Sequence, residues 1–311
     1  MILNWRGLSN AIQRTQNTTG YTIETRFSDR IPQVTNLNTA VAMMGIMLYC
    51  EKPAGPSSGS ITDVASNTSY TYPLGQPLLE IFYVIINSMR GGNPGNLWGT
   101  IAVTDGAGTE SIWQRGYDHP VTDVKPTDYI RLEGPSRALY AADDFSMNLA
   151  LWDSDDPIVN GTIAFNPFDY DTQYDVLQQK KLNGPGSVWV EYVAISDGLY
   201  AQISVLLVDG NNEDFPKVRG DISTHNGFGL SNLFHKGQND GVNVEKTAPI
   251  PLSRSVVAVP TTNTLSVVVD LFVDDQEIAN GTVKFQPLFG QSEKKPVTGQ
   301  HGKVEVRVTW M

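Results

Sequence analysis

The sequence has 311 residues, 40% of them hydrophobic and 18% charged, with a net charge of −11 and one cysteine, Cys50. This length allows about two domains with buried cores, the acidic charge disfavours charge-driven nucleic-acid binding, and one cysteine excludes an internal disulfide framework. A single thiol suits a reducing compartment, which predicts a cytoplasmic protein. No apolar run reaches the roughly 18 residues that a membrane span needs, so no membrane association is expected.

The first 52 residues combine one helical pattern with two β-type runs. Trp5, Leu8 and Ile12 recur at the spacing of one helical face. The polar turn formers at 17–20 end that pattern, and β-type runs follow at 21–27 and 41–49. These features predict a short α+β segment.

This segment resembles the carboxyl-terminal end of the plant ribosome-inactivating proteins, which are rRNA N-glycosidases. The resemblance rests on the motif Trp-x-x-Leu-Ser-x-x-Ile-Gln from Trp5 to Gln13 and on the two runs after it. It implies that Trp5 is a remnant of the family's active-site pocket, although simple core packing is the alternative. The family's catalytic Glu and Arg lie upstream of this motif, and only four residues precede Trp5. A Trp side chain has no acid–base chemistry, so we expect a remnant without catalytic residues.

Residues 53–76 are predicted to be a linker, because the stretch begins with Pro, Gly and Ser residues that favour neither helix nor sheet. The rest of the chain contains an internal repeat. Residues 79–84, 99–108, 136–141, 160–167 and 187–192 recur in the same order as residues 200–205, 220–229, 253–258, 280–287 and 303–308. We therefore predict a duplication, with one copy over 77–200 and the other over 201–311.

Each copy has the pattern of short antiparallel strands. Apolar residues alternate with polar ones in 145–152 and 304–308, which is the period of a strand with one buried face. Asn-Gly and Asp-Gly pairs, which favour tight hairpins, separate such runs. The prediction is a mainly β fold, in which the short α+β remnant precedes two tandem antiparallel β-sandwich or barrel-like repeats.

The repeated half is similar to an uncharacterised β-rich domain of grass proteins. The similarity rests on residues 78–82, 97–105 and 132–138. The whole chain then resembles the cereal jasmonate-induced ribosome-inactivating proteins, with most of the toxin domain absent. This resemblance implies a non-catalytic, stress- or defence-related binding or interaction protein that acts on translation. The alternative is that the chain is part of an rRNA N-glycosidase that needs a separate N-terminal catalytic fragment. Both interpretations stay open, and the sequence favours a protein without enzyme activity.

Candidate site residues fall into two sets. Carboxylates at two loop tips could coordinate calcium, or could simply favour exposed turns; they are Asp153, Asp155, Asp156, Asp274 and Asp275. Four tryptophans could stack on a base, as the likeness of this domain to a cap-binding initiation factor implies, or could be buried in the core; they are Trp98, Trp113, Trp152 and Trp189. Sugar binding by the sandwich loops is a third hypothesis.

The expected partners are an unknown protein or the translation machinery, and no cofactor is expected. A homodimer through residues 1–50 is an option, because the remnant would expose the face that once packed on the missing domain.

Overall fold

The computed structural model describes residues 75–90, 95–169 and 172–311, together with the backbone of four short strands nearer the N-terminus. The chain divides into two compact units, Met1–Pro73 and Leu74–Met311. The described residues of both units contain strands and no helix. None of them forms a helix that could cross a membrane.

The described strands of the first unit form two antiparallel pairs. Strands β1 (Gln13–Gln16) and β2 (Thr22–Thr25) form one, and β3 (Ile61–Asp63) and β4 (Thr68–Tyr70) form the other. The predicted helix lies outside the described residues except for Gln13, which begins β1 and is not helical, so the α+β prediction has no support in the described part. The predicted linker contains β3 and β4.

The described residues of the second unit form eighteen strands. The first nine are β5 (Gln76–Ser88), β6 (Gly95–Asp105), β7 (Gly108–Arg115), β8 (Val121–Val124), β9 (Tyr129–Ile130), β10 (Leu139–Tyr140), β11 (Phe145–Asp153), β12 (Asp156–Phe165) and β13 (Gln178–Asn183). The others are β14 (Ser187–Gly210), β15 (Lys217–His225), β16 (Leu230–Lys236), β17 (Val242–Asn243), β18 (Val256–Pro260), β19 (Leu265–Val273), β20 (Gln276–Phe285), β21 (Ser292–Thr298) and β22 (Gly302–Trp310).

One long strand, β14, joins two sandwiches. It is 24 residues long, and its first half pairs with β5 and β13 while its second half pairs with β18 and β22. These strands belong to an eight-stranded sheet that we call the shared sheet. A five-stranded sheet of β12-β11-β6-β7 with β8 packs on the first half, and one of β16-β15-β19-β20 with β17 packs on the second. We call these sandwiches repeat 1 and repeat 2.

The mainly β, antiparallel prediction is confirmed. One buried core contains residues from 79 to 194, and the other contains residues from 199 to 310. The predicted boundary between residues 200 and 201 lies within β14. The two repeats therefore share a continuous strand, and no flexible connection separates them.

The repeats match in detail. Gly99 pairs with Leu151 and Gly220 with Leu271, and in each case a β-bulge follows the leucine. The indole of Trp98 stacks on Trp152 in repeat 1, with ring centroids 4.6 Å apart. At the matching position of repeat 2, the guanidinium of Arg219 lies 5.0 Å above the ring of Phe272.

A buried ion pair connects the two repeats. Arg254 of repeat 2 donates to Glu80 Oε1 of repeat 1 at 2.7 Å and to the carbonyl of Ile81 at 2.8 Å. Glu80 also accepts from the Ser231 hydroxyl at 2.6 Å and from the Ala258 amide at 2.8 Å. Burial raises the pKa of Glu80, and Arg254 opposes that shift.

The same arrangement within repeat 1 uses a different carboxylate. Arg137, which matches Arg254, pairs with Asp105 of its own repeat at 2.8 Å. Asn226 occupies the position of Asp105 in repeat 2 and has no negative charge. Glu80 therefore supplies, from the other repeat, the carboxylate that repeat 2 lacks.

Candidate binding site

The outer face of the shared sheet in repeat 1 carries aromatic and polar side chains. Strand alternation sends the apolar side chains of β5 and β14 inward, where Val84, Ile86, Val188 and Val190 are at most 1% exposed. The intervening residues point outward. We call the outward set, with its neighbours on β9 and β13, the sheet-face site: Tyr83, Ile85, Asn87, Tyr129, Gln179, Lys181, Trp189 and Glu191.

Strand register arranges these residues in two rows across the strands. In the first row Ile85 lies between Tyr129 and Trp189, and Lys181 follows Trp189. In the second row Glu191 lies between Tyr83 and Gln179. An apolar and aromatic row therefore runs beside a polar one.

Glu191 is the polar centre of the site. Its residue is 7% exposed, and Oε2 accepts from the Tyr83 hydroxyl at 2.5 Å and from the Gln179 amide at 2.6 Å. It forms no ion pair with any residue in the described part of the chain. A carboxylate held in this way is oriented as an acceptor for further hydrogen bonds.

Trp189 is the exposed aromatic surface of the site. The residue is 37% exposed, and its indole N–H donates to the side-chain Oδ1 of Asn87 at 3.3 Å. The Lys181 ammonium lies 5.9 Å from the centre of the ring. A shallow depression of about 180 Å³ lies beside the ring, lined by Tyr83, Ile85, Gln179, Trp189 and Val190. Its lining places the apolar surface of Trp189 and Ile85 beside the polar groups of Tyr83 and Gln179.

The sheet-face site carries a single carboxylate. Hydrolysis of a glycosidic bond usually needs two carboxyl groups on opposite sides of the bond. The sheet-face site has one, Glu191, which is already hydrogen-bonded to Tyr83 and Gln179.

Tyr83 provides a pH-dependent probe of this geometry. Burial and the adjacent Glu191 carboxylate raise its pKa to about 12. Because the folded-state pKa is raised above the ordinary tyrosine value of 10.0, the contribution of Tyr83 to stability is complete below pH 10 and is lost as the pH rises toward 12. A pH titration monitored by tyrosinate absorbance measures this. We expect Tyr83→Phe to remove one tyrosine that titrates at high pH. Glu191→Gln should lower the pKa of Tyr83, and an unchanged titration in both variants would contradict the contact.

Repeat 2 has different residues on the matching face. The positions that match Trp189 and Glu191 are Glu305 and Arg307. The one that matches Tyr83 is Ser204, which pairs with Arg307 as Tyr83 pairs with Glu191. Glu305 and Arg307 come within 3.7 Å of each other. The fold therefore does not require aromatic residues here, and their presence in repeat 1 needs another explanation.

The structure separates the four predicted tryptophans. Trp113 is 3% exposed and belongs to the core. Trp98 and Trp152 are half-buried and stack on each other, which leaves no space for a base between them. Trp189 alone of the four presents its ring at the sheet-face site. Trp5, the predicted pocket remnant, lies outside the described residues.

The predicted acidic loops have no metal-ligand set. Asp153 is 7% exposed and accepts from the backbone amide of Asn96 at 2.8 Å. Asp275 pairs with Arg219 at 3.0 Å, and the Asp274 carbonyl accepts from the same guanidinium. Asp155 and Asp156 are exposed. Within the described ranges, no group of three or more His, Cys, Asp or Glu could hold a metal ion.

A larger depression in repeat 2 is less suited to a ligand. Its volume is about 460 Å³, and its lining residues are Gln286, Leu288, Gln291, Ser292, Glu293, Lys295 and Trp310. Trp310 is only 1% exposed, so it offers no ring to a ligand.

Sequence reasoning did not identify Tyr83, Tyr129, Gln179 or Glu191. The alternation of Tyr83, Ile85 and Asn87 with buried neighbours was the available signal, but it does not show which strands lie beside β5. That information depends on pairs about 100 residues apart, such as Asn87 with Ser187.

Comparisons with known proteins give distant structural matches and one family. No curated protein matches the sequence. A two-domain structure of Extended-Synaptotagmin 2 matches with a TM-score of 0.28 and 7% identity over 84% of this chain and 98% of that one. A longer structure of the same protein, which also contains the SMP domain, matches with a TM-score of 0.27 and 8% identity, over 76% of this chain and 57% of that one. A structure of human GIVD cytosolic phospholipase A2 matches with a TM-score of 0.24 and 10% identity, over 76% of this chain and 33% of that one.

The family match covers both repeats. The model described as "Domain of unknown function (DUF6598)" matches residues 78–308, from the start of β5 almost to the end of β22. The chain therefore belongs to the DUF6598 family.

Proposed function

We propose that this chain is a non-catalytic carbohydrate-binding protein, and that the sheet-face site of repeat 1 is where the sugar binds. The observation that carries the proposal is the exposed ring of Trp189 beside the oriented carboxylate of Glu191, at positions where repeat 2 has Glu305 and Arg307. A surface that the fold does not require is a candidate for binding.

The chemistry of a pyranose fits this surface. One face of the ring is made of C–H groups, which pack on an exposed indole, and the hydroxyl groups at its edge need hydrogen-bond partners. Glu191 accepts, and the Gln179 amide both donates and accepts. Because the sugar is neutral, the net charge of −11 does not oppose binding.

A glycan array with the full chain tests the proposal. We expect binding to a subset of glycans, and Trp189→Ala should weaken it by about 2 kcal/mol, roughly 30-fold, as expected for an aromatic hot spot. The matched control is Glu305→Ala, at the equivalent position of repeat 2, which should bind like the unchanged protein. Equal binding by the Trp189→Ala variant, or no glycan bound by the unchanged protein, would contradict the proposal.

The resemblance of residues 5–13 to ribosome-inactivating proteins gives the proposed biological context. A binding module descended from a toxin fusion would serve stress or defence responses, with the translation machinery or another protein as partner. The alternative, part of an rRNA N-glycosidase, depends on Trp5 and residues outside the described ranges. It predicts adenine release from plant ribosomes when a separate N-terminal toxin fragment is added, and the absence of release would exclude it.

A further inference from the structure

The sheet-face site has the shape to bind an extended glycan across the strands. We infer that the ligand is a flat, β-1,4-linked glucan that crosses β9, β5 and β14 and contacts Tyr129 at one end and Trp189 at the other. This inference rests on the proposed function and adds the class, length and direction of the sugar.

The spacing of the two aromatic residues sets the length. Tyr129 and Trp189 both pair with Ile85, on opposite sides of β5. Adjacent strands are about 4.8 Å apart, so the two backbones are separated by about 10 Å. One strand spacing is close to the length of one sugar residue in an extended chain. A single pyranose therefore cannot contact both rings, whereas three consecutive residues can.

The surface between the two rings suits a ribbon-like chain. Ile85 lies at the middle of the row and provides an apolar floor. The second row, with Tyr83, Glu191 and Gln179, runs parallel to the first and offers its polar groups to one edge of the chain. A β-1,4-linked glucan has two flat faces and hydroxyl groups along its edges, whereas an α-1,4-linked glucan coils away from a flat surface.

Tyr129 is held in place although its side chain is exposed. The residue is 62% exposed, and its ring meets that of Tyr83 edge-on, with centroids 5.3 Å apart. The backbone around it is fixed to β5, because Ile86 donates to the Asp128 carbonyl at 3.0 Å and accepts from the Thr127 amide at 2.7 Å. An exposed ring on a fixed strand loses little conformational freedom on binding.

Calorimetric titration with cello-oligosaccharides of two to six glucose units tests the inference. We expect affinity to rise by about tenfold between the disaccharide and the tetrasaccharide and then to level off, because further units extend beyond the aromatic pair. Tyr129→Ala should remove this length dependence and retain disaccharide binding. Phe168→Ala, at an exposed aromatic residue outside the site, is the control and should leave the series unchanged.

The outcomes separate this inference from the proposed function. Equal affinity for all lengths, with binding still lost in Trp189→Ala, would overturn the extended ligand but retain a sugar site. Tighter binding of maltohexaose than of cellohexaose would also overturn the β-1,4-linked class. Failure of every glycan to bind would overturn both proposals.

Discussion

Replacing Glu80 with Gln is expected to lower the free energy of unfolding by about 3–5 kcal/mol, which is the cost of removing one partner of a buried ion pair. The Arg254 side chain is 1% exposed, so its charge would remain in the interior without a carboxylate. The neutral amide would also direct a donor toward Arg254 or the Ala258 amide, where an acceptor is required. Urea denaturation measures the change.

A surface pair of the same chemistry is the control. Arg115 and Glu133 form an ion pair whose side chains are 33% and 41% exposed. Glu133→Gln should change the free energy of unfolding by less than about 1 kcal/mol. Replacing Glu80 and Arg254 together with apolar residues should cost less than the sum of the single changes, because neither charge is then left unpaired. A Glu80→Gln variant as stable as Glu133→Gln would show that the ion pair does not hold the two repeats together.

Replacing Gly99 with Ala is expected to destabilise the protein by roughly 3 kcal/mol or more, because a positive φ and a backbone clash combine there. Gly99 has φ +129°, and a Cβ at that position would lie 2.0 Å from the carbonyl oxygen of Ala150. Gly220 has the same geometry in repeat 2, with φ +114° and a Cβ 2.1 Å from the carbonyl oxygen of Asp270. Both repeats therefore bring two backbones too close together for any side chain.

Gly106 provides the matched control in the same repeat. A Cβ there meets nothing within 4 Å, so Gly106→Ala should leave the thermal unfolding temperature nearly unchanged. A Gly99→Ala variant as stable as Gly106→Ala would contradict the close approach of β6 and β11 at Gly99.

Local patterns were sufficient to predict the mainly β fold of the two repeats, although β3 and β4 lie in the predicted linker. Residues 145–152 alternate in polarity, and β11 (Phe145–Asp153) buries every second residue from Phe145 to Asp153. The repeat was visible because its blocks are similar in sequence and occur in the same order. The buried faces of the strands follow from the same period of two.

Features that depend on distant pairs could not be predicted in this way. Nothing local shows that β14 runs through both sandwiches, because a 24-residue strand and two shorter ones have the same alternation. The pair of Glu80 with Arg254 joins residues 174 positions apart. The sheet-face site depends on β5 and β14 lying side by side, which brings Tyr83 to Glu191 over 108 positions. Of its residues, only Trp189 was predicted, and for a different ligand.

The most direct test of the sheet-face site is an NMR titration of the full chain with cellotetraose, observing the indole N–H signals assigned by Trp→Phe substitution. The site predicts a concentration-dependent shift of the Trp189 signal, while those of Trp98 and the buried Trp113 and Trp310 stay in place. A shift centred on Trp98, or no shift at any indole with either cellotetraose or a glycan that the chain binds on the array, would contradict the assignment of this face as a carbohydrate site.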